Sequence, residues 1–278
     1  MNRNFFACIL GAAVVFASCS SIPKTTSPDE FVFKDAAGLY HVATINHEVQ
    51  KVQYDRKLFS RKQHRMIYAG DPNYTCRFGI DISRHEGEID WKKVKESGVE
   101  FVFIRIGYRG YQTGILHLDE NFHQNIKGAL EQNLDIGVYV FSQAINEEEA
   151  LEEAELVIKE LENYKITLPV VFDPESISWE EARTDDISGE QFTKNTIAFC
   201  NRVKEAGYDP MIYSNLIWET EFFDLSQLSE YKIWFADYEK KPQSPYHFEF
   251  WQYEGEGIKV PGINRKVDAD IQLIPVKQ

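Results

Sequence analysis

The sequence is poor in cysteine and has no cluster of basic side chains. It contains 4 cysteines and 7 scattered histidines among 278 residues, and neither a CxxC nor an HExxH spacing occurs. Those spacings are typical of metal centres, so we predict no metal site and no cofactor. The 44 acidic residues outnumber the 30 basic ones, which gives a net charge of −14. Because a nucleic-acid-binding protein needs positive charge to meet the phosphates, nucleic acid is excluded as an expected partner.

The first residues have the pattern of an export signal. Arg3 is followed by an apolar run over residues 5–16, and then by Ala17-Ser18-Cys19. The run is too short to span a bilayer as a mature helix, and small residues precede the cysteine, as at a lipoprotein cleavage site. We predict a signal peptide over residues 1–18, lipidation of Cys19, and a polar, proline-containing tether over residues 19–28. The alternative is an ordinary signal peptide with an incidental cysteine.

This N-terminus predicts an exported lipoprotein that is anchored to a bacterial membrane, with either a periplasmic or a surface orientation. We expect the anchored protein to be a monomer. Two cysteines remain in the mature chain, Cys76 and Cys200. They could form a disulfide in an oxidising compartment, but Cys200 lies in an apolar helical pattern that is equally consistent with a buried free thiol.

A regular pattern of strands begins only at Arg77. The preceding residues, 29–76, mix short alternating patches with polar stretches, and we treat them as an N-terminal extension of unknown structure. From residue 77 to 278 we predict one barrel domain. Apolar runs of strand length, rich in Val, Ile, Phe and Tyr, occur at 78–82, 101–107, 136–141, 168–172, 210–213, 232–236, 248–253 and near Val267.

The spacing between these runs predicts the architecture. Helical periodicity fills the gaps between the first five runs, notably over residues 119–132, 146–163 and 188–207. Prolines and glycines break the later gaps, where no full helix fits. We therefore predict an α/β fold, an irregular TIM-like barrel with about five β/α units followed by three loop-connected strands. A doubly wound open sheet is the alternative, which is weakened because no glycine-rich phosphate loop follows the first strand.

Carboxylates occur at the ends of three predicted strands. Asp173 and Glu175 follow the fourth strand, Asp81 ends the first, and Asp268 lies in the last. Side chains at positions i and i+2 share one face of a strand, and their Cα atoms lie roughly 6.6 Å apart. Such crowding raises one carboxyl pKa and provides a proton donor beside a charged partner. Taken alone, Asp173 and Glu175 could simply open a loop, but strand ends in a barrel meet at one mouth.

Aromatic residues also gather at these strand ends, and some of them are expected to form platforms for sugar rings. The candidates are Tyr139, Tyr213, Trp234, Tyr238, Trp251 and Tyr253.

The ordered set of motifs resembles glycoside hydrolase family 25, the Chalaropsis-type lysozymes. The resemblance covers about residues 77–275 and rests on Asp81-Ile82-Ser83, Gly87-Glu88-Ile89-Asp90-Trp91, Phe103-Ile104-Arg105-Ile106-Gly107, Ile136-Gly137-Val138-Tyr139, Phe172-Asp173-Pro174-Glu175, Tyr213-Ser214-Asn215, Trp234-Phe235-Ala236-Asp237-Tyr238, Trp251-Gln252-Tyr253 and Val267-Asp268.

This resemblance implies a lysozyme that hydrolyses the β-1,4 bond between N-acetylmuramic acid and N-acetylglucosamine in peptidoglycan. It implies Glu175 as general acid/base, with Asp173 assisting and Asp81 and Asp268 completing the acidic cluster. Whether the reaction uses an enzyme nucleophile or the acetamido oxygen of the substrate stays open. His85-Glu86 departs from the Tyr-Gln or similar pair of the family, which could alter a sugar subsite. The alternatives are another N-acetylhexosamine-polymer hydrolase and a non-catalytic glycan-binding lipoprotein.

Overall fold

A computed structural model describes residues 22–177 and 180–276. The predicted signal peptide and the lipidation site Cys19 lie outside these residues. Within the described ranges, no helix is both long enough and apolar enough to cross a bilayer. Cys76 and Cys200 both carry free thiols, and Cys200 is buried. The disulfide alternative is therefore wrong, and the buried free thiol at Cys200 is confirmed.

Residues 29–76 form two antiparallel hairpins. Strand β1 (Glu30–Lys34) pairs with β2 (Tyr40–Thr44), and β3 (Phe59–Lys62) pairs with β4 (Arg65–Tyr68). One 3₁₀ turn, Arg56–Leu58, precedes β3. The side chains of five residues of this extension are buried in the same hydrophobic core as the barrel: Phe33, Tyr54, Phe59, Met66 and Tyr68.

The predicted domain boundary at residue 77 needs correction. Strand β5 begins at Tyr74 and runs to Ile82, so the boundary divides a strand. Asn73 also accepts a hydrogen bond from the backbone N–H of Val276. The sequence does not show this boundary because the extension mixes short alternating patches with polar stretches, and several of its aromatic side chains are buried in the core of the barrel.

The barrel is a closed sheet of eight strands. After β5 come β6 (Phe101–Arg109), the short edge strand β7 (Leu116–Leu118), β8 (Asp135–Ser142), β9 (Val170–Pro174), β10 (Pro210–Asn215), β11 (Lys232–Ala236), β12 (Phe250–Lys259) and β13 (Lys266–Pro275). The order around the barrel is β5-β13-β12-β11-β10-β9-β8-β6, and parallel pairing of β5 with β6 closes it.

Seven barrel strands are parallel, and the eighth, β13, is antiparallel to both neighbours. This reversal places the start of β13 at the rim where the parallel strands end. Asp268, near the start of β13, consequently pairs in register with Asp81 at the end of β5.

Four helices connect the first five barrel strands. They are α1 (Trp91–Glu96), α2 (Phe122–Glu131), α3 (Glu147–Leu161) and α4 (Gly189–Glu205). The side chain of Asp90 caps α1, and that of Asn146 caps α3, by accepting hydrogen bonds from backbone N–H groups of the first turn. After β10 comes only a π-helical turn, Trp218–Phe222, and loops join the last three strands. The prediction of a TIM-like barrel with an irregular end is confirmed.

Aromatic rings fill the interior of the barrel. The ring of Phe103 stacks on that of Trp234, with centroids 4.6 Å apart. Gly79 and Gly137 make room for this layer, because a Cβ at either would lie 2.3 Å from the ring of Phe101 or Phe103. The strands deliver their carboxylates at the mouth of this filled barrel, above the aromatic layer.

Candidate active site

A cavity of about 370 Å³ opens at the carboxyl ends of the parallel strands. Its wall includes all four predicted acids, Asp81, Asp173, Glu175 and Asp268. They come from β5, from the end of β9 and the residue after it, and from β13. The fold therefore brings together carboxylates that lie up to 187 positions apart in the sequence.

Asp173 and Glu175 occupy the centre of this wall. Asp173 is buried, and its Oδ1 has no hydrogen-bond partner among the described residues. Glu175 is half-buried, and its backbone carbonyl accepts a hydrogen bond of 2.6 Å from Nε2 of Gln143. Oε1 of Gln143 accepts in turn from the hydroxyl of Thr184 at 3.0 Å. Gln143 thus fixes the backbone that carries Glu175, a role that the sequence alone does not show.

Burial and crowding hold protons on this pair. Burial raises the pKa of Glu175 to about 7. Burial raises the pKa of Asp173 well above its ordinary value, and the charges of Glu175 and Asp81 add to the rise, whereas the Arg105 guanidinium opposes it. Among the described residues Arg105 forms its ion pair with Asp119 and not with either of these carboxyls, so the pair retains a proton near neutral pH. The site can therefore donate a proton to a ligand from one of two adjacent acids.

A fifth carboxylate, Asp270, lies behind the cavity wall. It is fully buried and accepts a hydrogen bond of 2.8 Å from Nε1 of Trp234. Burial raises its pKa to about 8, with a further rise from Asp268. Burial, followed by the charge of Asp270, also raises the pKa of Asp81 well above its ordinary value. The signal for Asp270 was available in the sequence, since Asp268 and Asp270 have the same i, i+2 spacing as Asp173 and Glu175.

Gln252 links the acids to the aromatic side chains. Its Nε2 donates to Asp81 Oδ2 at 2.8 Å. Its Oε1 accepts from the hydroxyls of Tyr213 and Tyr238, at 2.8 and 2.9 Å. Strand alternation points Gln252 into the barrel, and its two neighbours, Trp251 and Tyr253, point outward.

The outward direction of Trp251 and Tyr253 corrects the expectation that they face the mouth. Both are buried between the barrel and the N-terminal extension, where Trp251 packs edge-on against Phe59 with centroids 5.1 Å apart. Tyr253 donates its hydroxyl hydrogen to the backbone carbonyl of His64 at 3.3 Å. They are core residues on the outer face of β12.

The other four aromatic candidates line the cavity: Tyr139, Tyr213, Trp234 and Tyr238. Three of them are at most 9% exposed, whereas Tyr238 is 46% exposed. Tyr238 is consequently the ring most available to a ligand, and Trp234 forms part of the cavity floor.

The remaining wall contains a cation and a capped turn. Arg105 Nε donates to Asp119 Oδ2 at 2.8 Å, which holds the guanidinium near the acids. His85 and Glu86 also line the cavity. Glu86 accepts from the backbone N–H of Ser83 at 2.6 Å in a capping box, so its carboxylate stabilises the turn after β5. Among the described residues, no group of three or more His, Cys, Asp or Glu is arranged to hold a metal ion.

Comparisons with known proteins give one family. The family model described as glycosyl hydrolases family 25 matches residues 80–263. An autolytic lysozyme from Clostridium acetobutylicum is 26% identical over 193 residues, covering 69% of this chain and 54% of that protein. The uncharacterized protein YegX of Escherichia coli is 28% identical over 209 residues, covering 72% of this chain and 70% of that protein.

Solved structures show the same fold. A family 25 glycosyl hydrolase from Bacillus anthracis has a TM-score of 0.59 at 23% identity, covering 76% of this chain and 94% of that one. The modular autolysin LytC from Streptococcus pneumoniae, solved with a synthetic peptidoglycan ligand, has a TM-score of 0.61 at 24% identity and covers 89% of this chain and 57% of that one. The chain spans only about half the length of the autolytic lysozyme and of LytC.

Proposed function

The chain belongs to glycosyl hydrolases family 25, and from this premise we propose that it is a lysozyme that cuts the glycan strands of peptidoglycan. The bond cleaved is the β-1,4 linkage between N-acetylmuramic acid and N-acetylglucosamine. One observation carries the proposal: Asp173 and Glu175 stand side by side in a cavity at the barrel mouth, with the pKa of Glu175 near 7. The named activity of the autolytic lysozyme and the peptidoglycan ligand of LytC support it.

In the proposed reaction, Glu175 protonates the leaving glycosidic oxygen and later takes a proton from the attacking water. Asp173 assists at the neighbouring position in the cavity wall. Asp81 and Asp268 complete the cluster of acids around this pair. Tyr238 supplies an exposed ring on which a sugar can stack.

The test of this activity is digestion of purified sacculi by the mature protein and by Glu175→Gln. We expect the mature protein to release fragments whose new reducing ends are N-acetylmuramic acid, and Glu175→Gln to release almost none. New N-acetylglucosamine ends would instead indicate a different hexosaminidase. Binding of sacculi without release by either protein would indicate a non-catalytic glycan-binding lipoprotein.

We also propose that the protein is exported and anchored through lipid on Cys19, as a monomer. The support is the apolar run and the Ala17-Ser18-Cys19 sequence that follows it. Lipidation would hold the enzyme at the membrane beside its polymeric substrate. Cys19→Ser should move the protein from the membrane fraction to the soluble fraction, with unchanged activity per molecule. Retention of Cys19→Ser in washed membranes would contradict the anchor.

A further inference from the structure

A second cavity, of about 520 Å³, adjoins the acidic one. The two cavities share the side chains of Glu175, Tyr213 and Tyr238. One side of the second cavity is formed by residues 33–38, the end of β1 and the turn that leads to β2. We call these residues the hairpin wall. They lie outside the residues 80–263 that match the family, so this part of the mouth is supplied by the N-terminal extension.

The hairpin wall is fixed to the barrel by the side chain of Gln243. The amide of Gln243 accepts from the backbone N–H of Lys34 and donates to its carbonyl, both at 2.9 Å. The backbone N–H of Gln243 donates to Asp237 Oδ2 at 2.8 Å, and Asp237 directly precedes Tyr238. An ion pair of 3.0 Å between Lys34 and Glu239 also connects the hairpin wall to the barrel. The wall and the exposed tyrosine are therefore held by the same set of contacts.

The turn itself is also ordered by hydrogen bonds. Asp35 Oδ1 accepts from the N–H of Leu39 at 2.8 Å, and its other carboxylate oxygen lies 2.8 Å from Nε2 of His41. Phe33, at the base of the wall, is buried in the core. These hydrogen bonds preorganise the hairpin wall. A ligand that binds there therefore loses little free energy in ordering the loop.

The charge of the second cavity favours a neutral ligand. Its carboxylates are Asp35, Glu175, Asp237 and Glu239, and its cation, Lys34, is already paired with Glu239. An anionic peptide stem would meet net negative charge there. A neutral sugar with an acetamido group instead finds the exposed ring of Tyr238 and polar groups such as Ser176 and Asn215.

We propose that the hairpin wall forms an additional sugar-binding site for an N-acetylhexosamine unit of the same glycan strand, beyond the two units that flank the cleaved bond. This inference rests on the proposed function, since it assigns the occupant of a cavity that continues from the catalytic one. It makes the enzyme selective for longer strands, because the extra unit adds binding only when the oligomer reaches the wall.

The test uses the full mature chain carrying Glu175→Gln, so that oligomers bind without being cut. Dissociation constants are measured by calorimetry for peptide-free disaccharide, tetrasaccharide and hexasaccharide. A second substitution, Ala37→Trp, fills the cavity from the exposed turn, and Val42→Trp is the matched control on the same hairpin, away from the cavity.

We expect the affinity to rise about tenfold when the oligomer becomes long enough to reach the wall, as one well-made contact provides. Ala37→Trp should remove most of that rise, and Val42→Trp should leave it intact. Equal behaviour of the two variants, a length-independent affinity, or no binding of any oligomer would overturn the proposal. Peptide-bearing oligomers of the same lengths are measured alongside, and a rise seen only with them would also overturn the proposal, because the occupant would then be the stem peptide.

A separate measurement distinguishes failure of the proposed lysozyme activity from failure of the proposed sugar site. Cleavage of the hexasaccharide by the protein with Glu175 intact is measured in parallel. If it cuts nothing while the length-dependent binding is found, the lysozyme proposal fails and the sugar site stands. If it cuts while binding is independent of length, the sugar site fails and the lysozyme proposal stands.

Discussion

Two glutamates of this protein, Glu175 and Glu153, have similar acidity and different surroundings. Burial raises the pKa of each to about 7. Glu153, on α3, is fully buried and accepts a hydrogen bond of 2.7 Å from Nε of Arg109 on β6. Glu175 has no such cation within the part of the chain that the structure describes, and it lies in an open cavity beside Asp173. A raised pKa therefore does not mark the active site by itself; access to a ligand and a second acid do.

Glu175 is the glutamate of this pair that a ligand can reach, and its replacement should have the largest effect. Glu175→Gln keeps the shape of the side chain and cannot donate a proton. General acid–base catalysis contributes about 10²–10⁴-fold, so kcat should fall by at least that order. The melting temperature should stay the same or rise, because a buried ionisable group is removed. Muropeptide release from purified sacculi and thermal unfolding measure the two effects, and near-normal release would remove Glu175 as the acid.

The same substitution at the enclosed glutamate should have the opposite result. Glu153→Gln takes away the charged acceptor of Arg109, which is 3% exposed and keeps Glu152 as a partner at 3.0 Å. Loss of a hydrogen bond between charged groups costs about 2 kcal/mol. We expect the free energy of unfolding to fall by that amount in urea titrations, with kcat per folded molecule unchanged. A large fall in kcat without destabilisation would show that Glu153 is coupled to the site.

The next prediction concerns the dependence of activity on pH. The proton on Glu175 must be present for catalysis, so kcat/KM should decline as pH rises through about 7. Burial raises the pKa of Glu175, and Asp173→Asn leaves that burial in place, so the alkaline limb should stay near the same pH. The substitution should also lower kcat by about tenfold or more, since a charged hydrogen bond to the transition state is worth at least about 1.4 kcal/mol. The pH–rate profiles of the two proteins are the measurement, and an alkaline limb that moves in Asp173→Asn would contradict this account of the Glu175 pKa.

The sequence predicts the site better than it predicts what surrounds it. Asp81, Asp173 and Glu175 follow apolar strands, and parallel strands in a barrel end at one rim, so their proximity follows from pattern and topology. Asp268 lies at the same rim because β13 runs antiparallel to its neighbours. The pattern of apolar residues in the sequence does not show this reversal. The partner strand β12 has register shifts between residues 252 and 258. A short apolar run in the sequence does not show whether the strand will be parallel or antiparallel to its neighbours.

The side-chain directions on β12 and the role of the extension required the structure. An alternating run such as Trp251-Gln252-Tyr253 does not say which face is inward, and the polar residue points into this barrel because its interior carries the acids. Likewise, Phe59 and Tyr68 precede any regular pattern, yet Phe59 covers Trp251 on the outer face of β12 and Tyr68 packs against Phe59. Removing residues 22–72 would expose this face, so the truncated chain should be markedly less stable than the mature protein.

The smallest expected effect concerns Asp268, whose negative charge should lower the free energy of unfolding at high pH. Burial, followed by the charge of Asp81, raises the pKa of Asp268 to about 8. A carboxyl whose pKa is higher in the folded state binds its proton more tightly there, so its contribution to stability is present at low pH and is lost as pH rises through the folded pKa.

Asp268→Asn should therefore increase the free energy of unfolding at pH 9 relative to the unsubstituted protein, by about 1 kcal/mol or more. At pH 4 the two proteins should be nearly equal, since Asp268 is then protonated in the folded state. Urea titrations at both pH values provide the comparison. A gain of the same size at both pH values would mean that the asparagine packs better, and that the charge of Asp268 does not oppose folding.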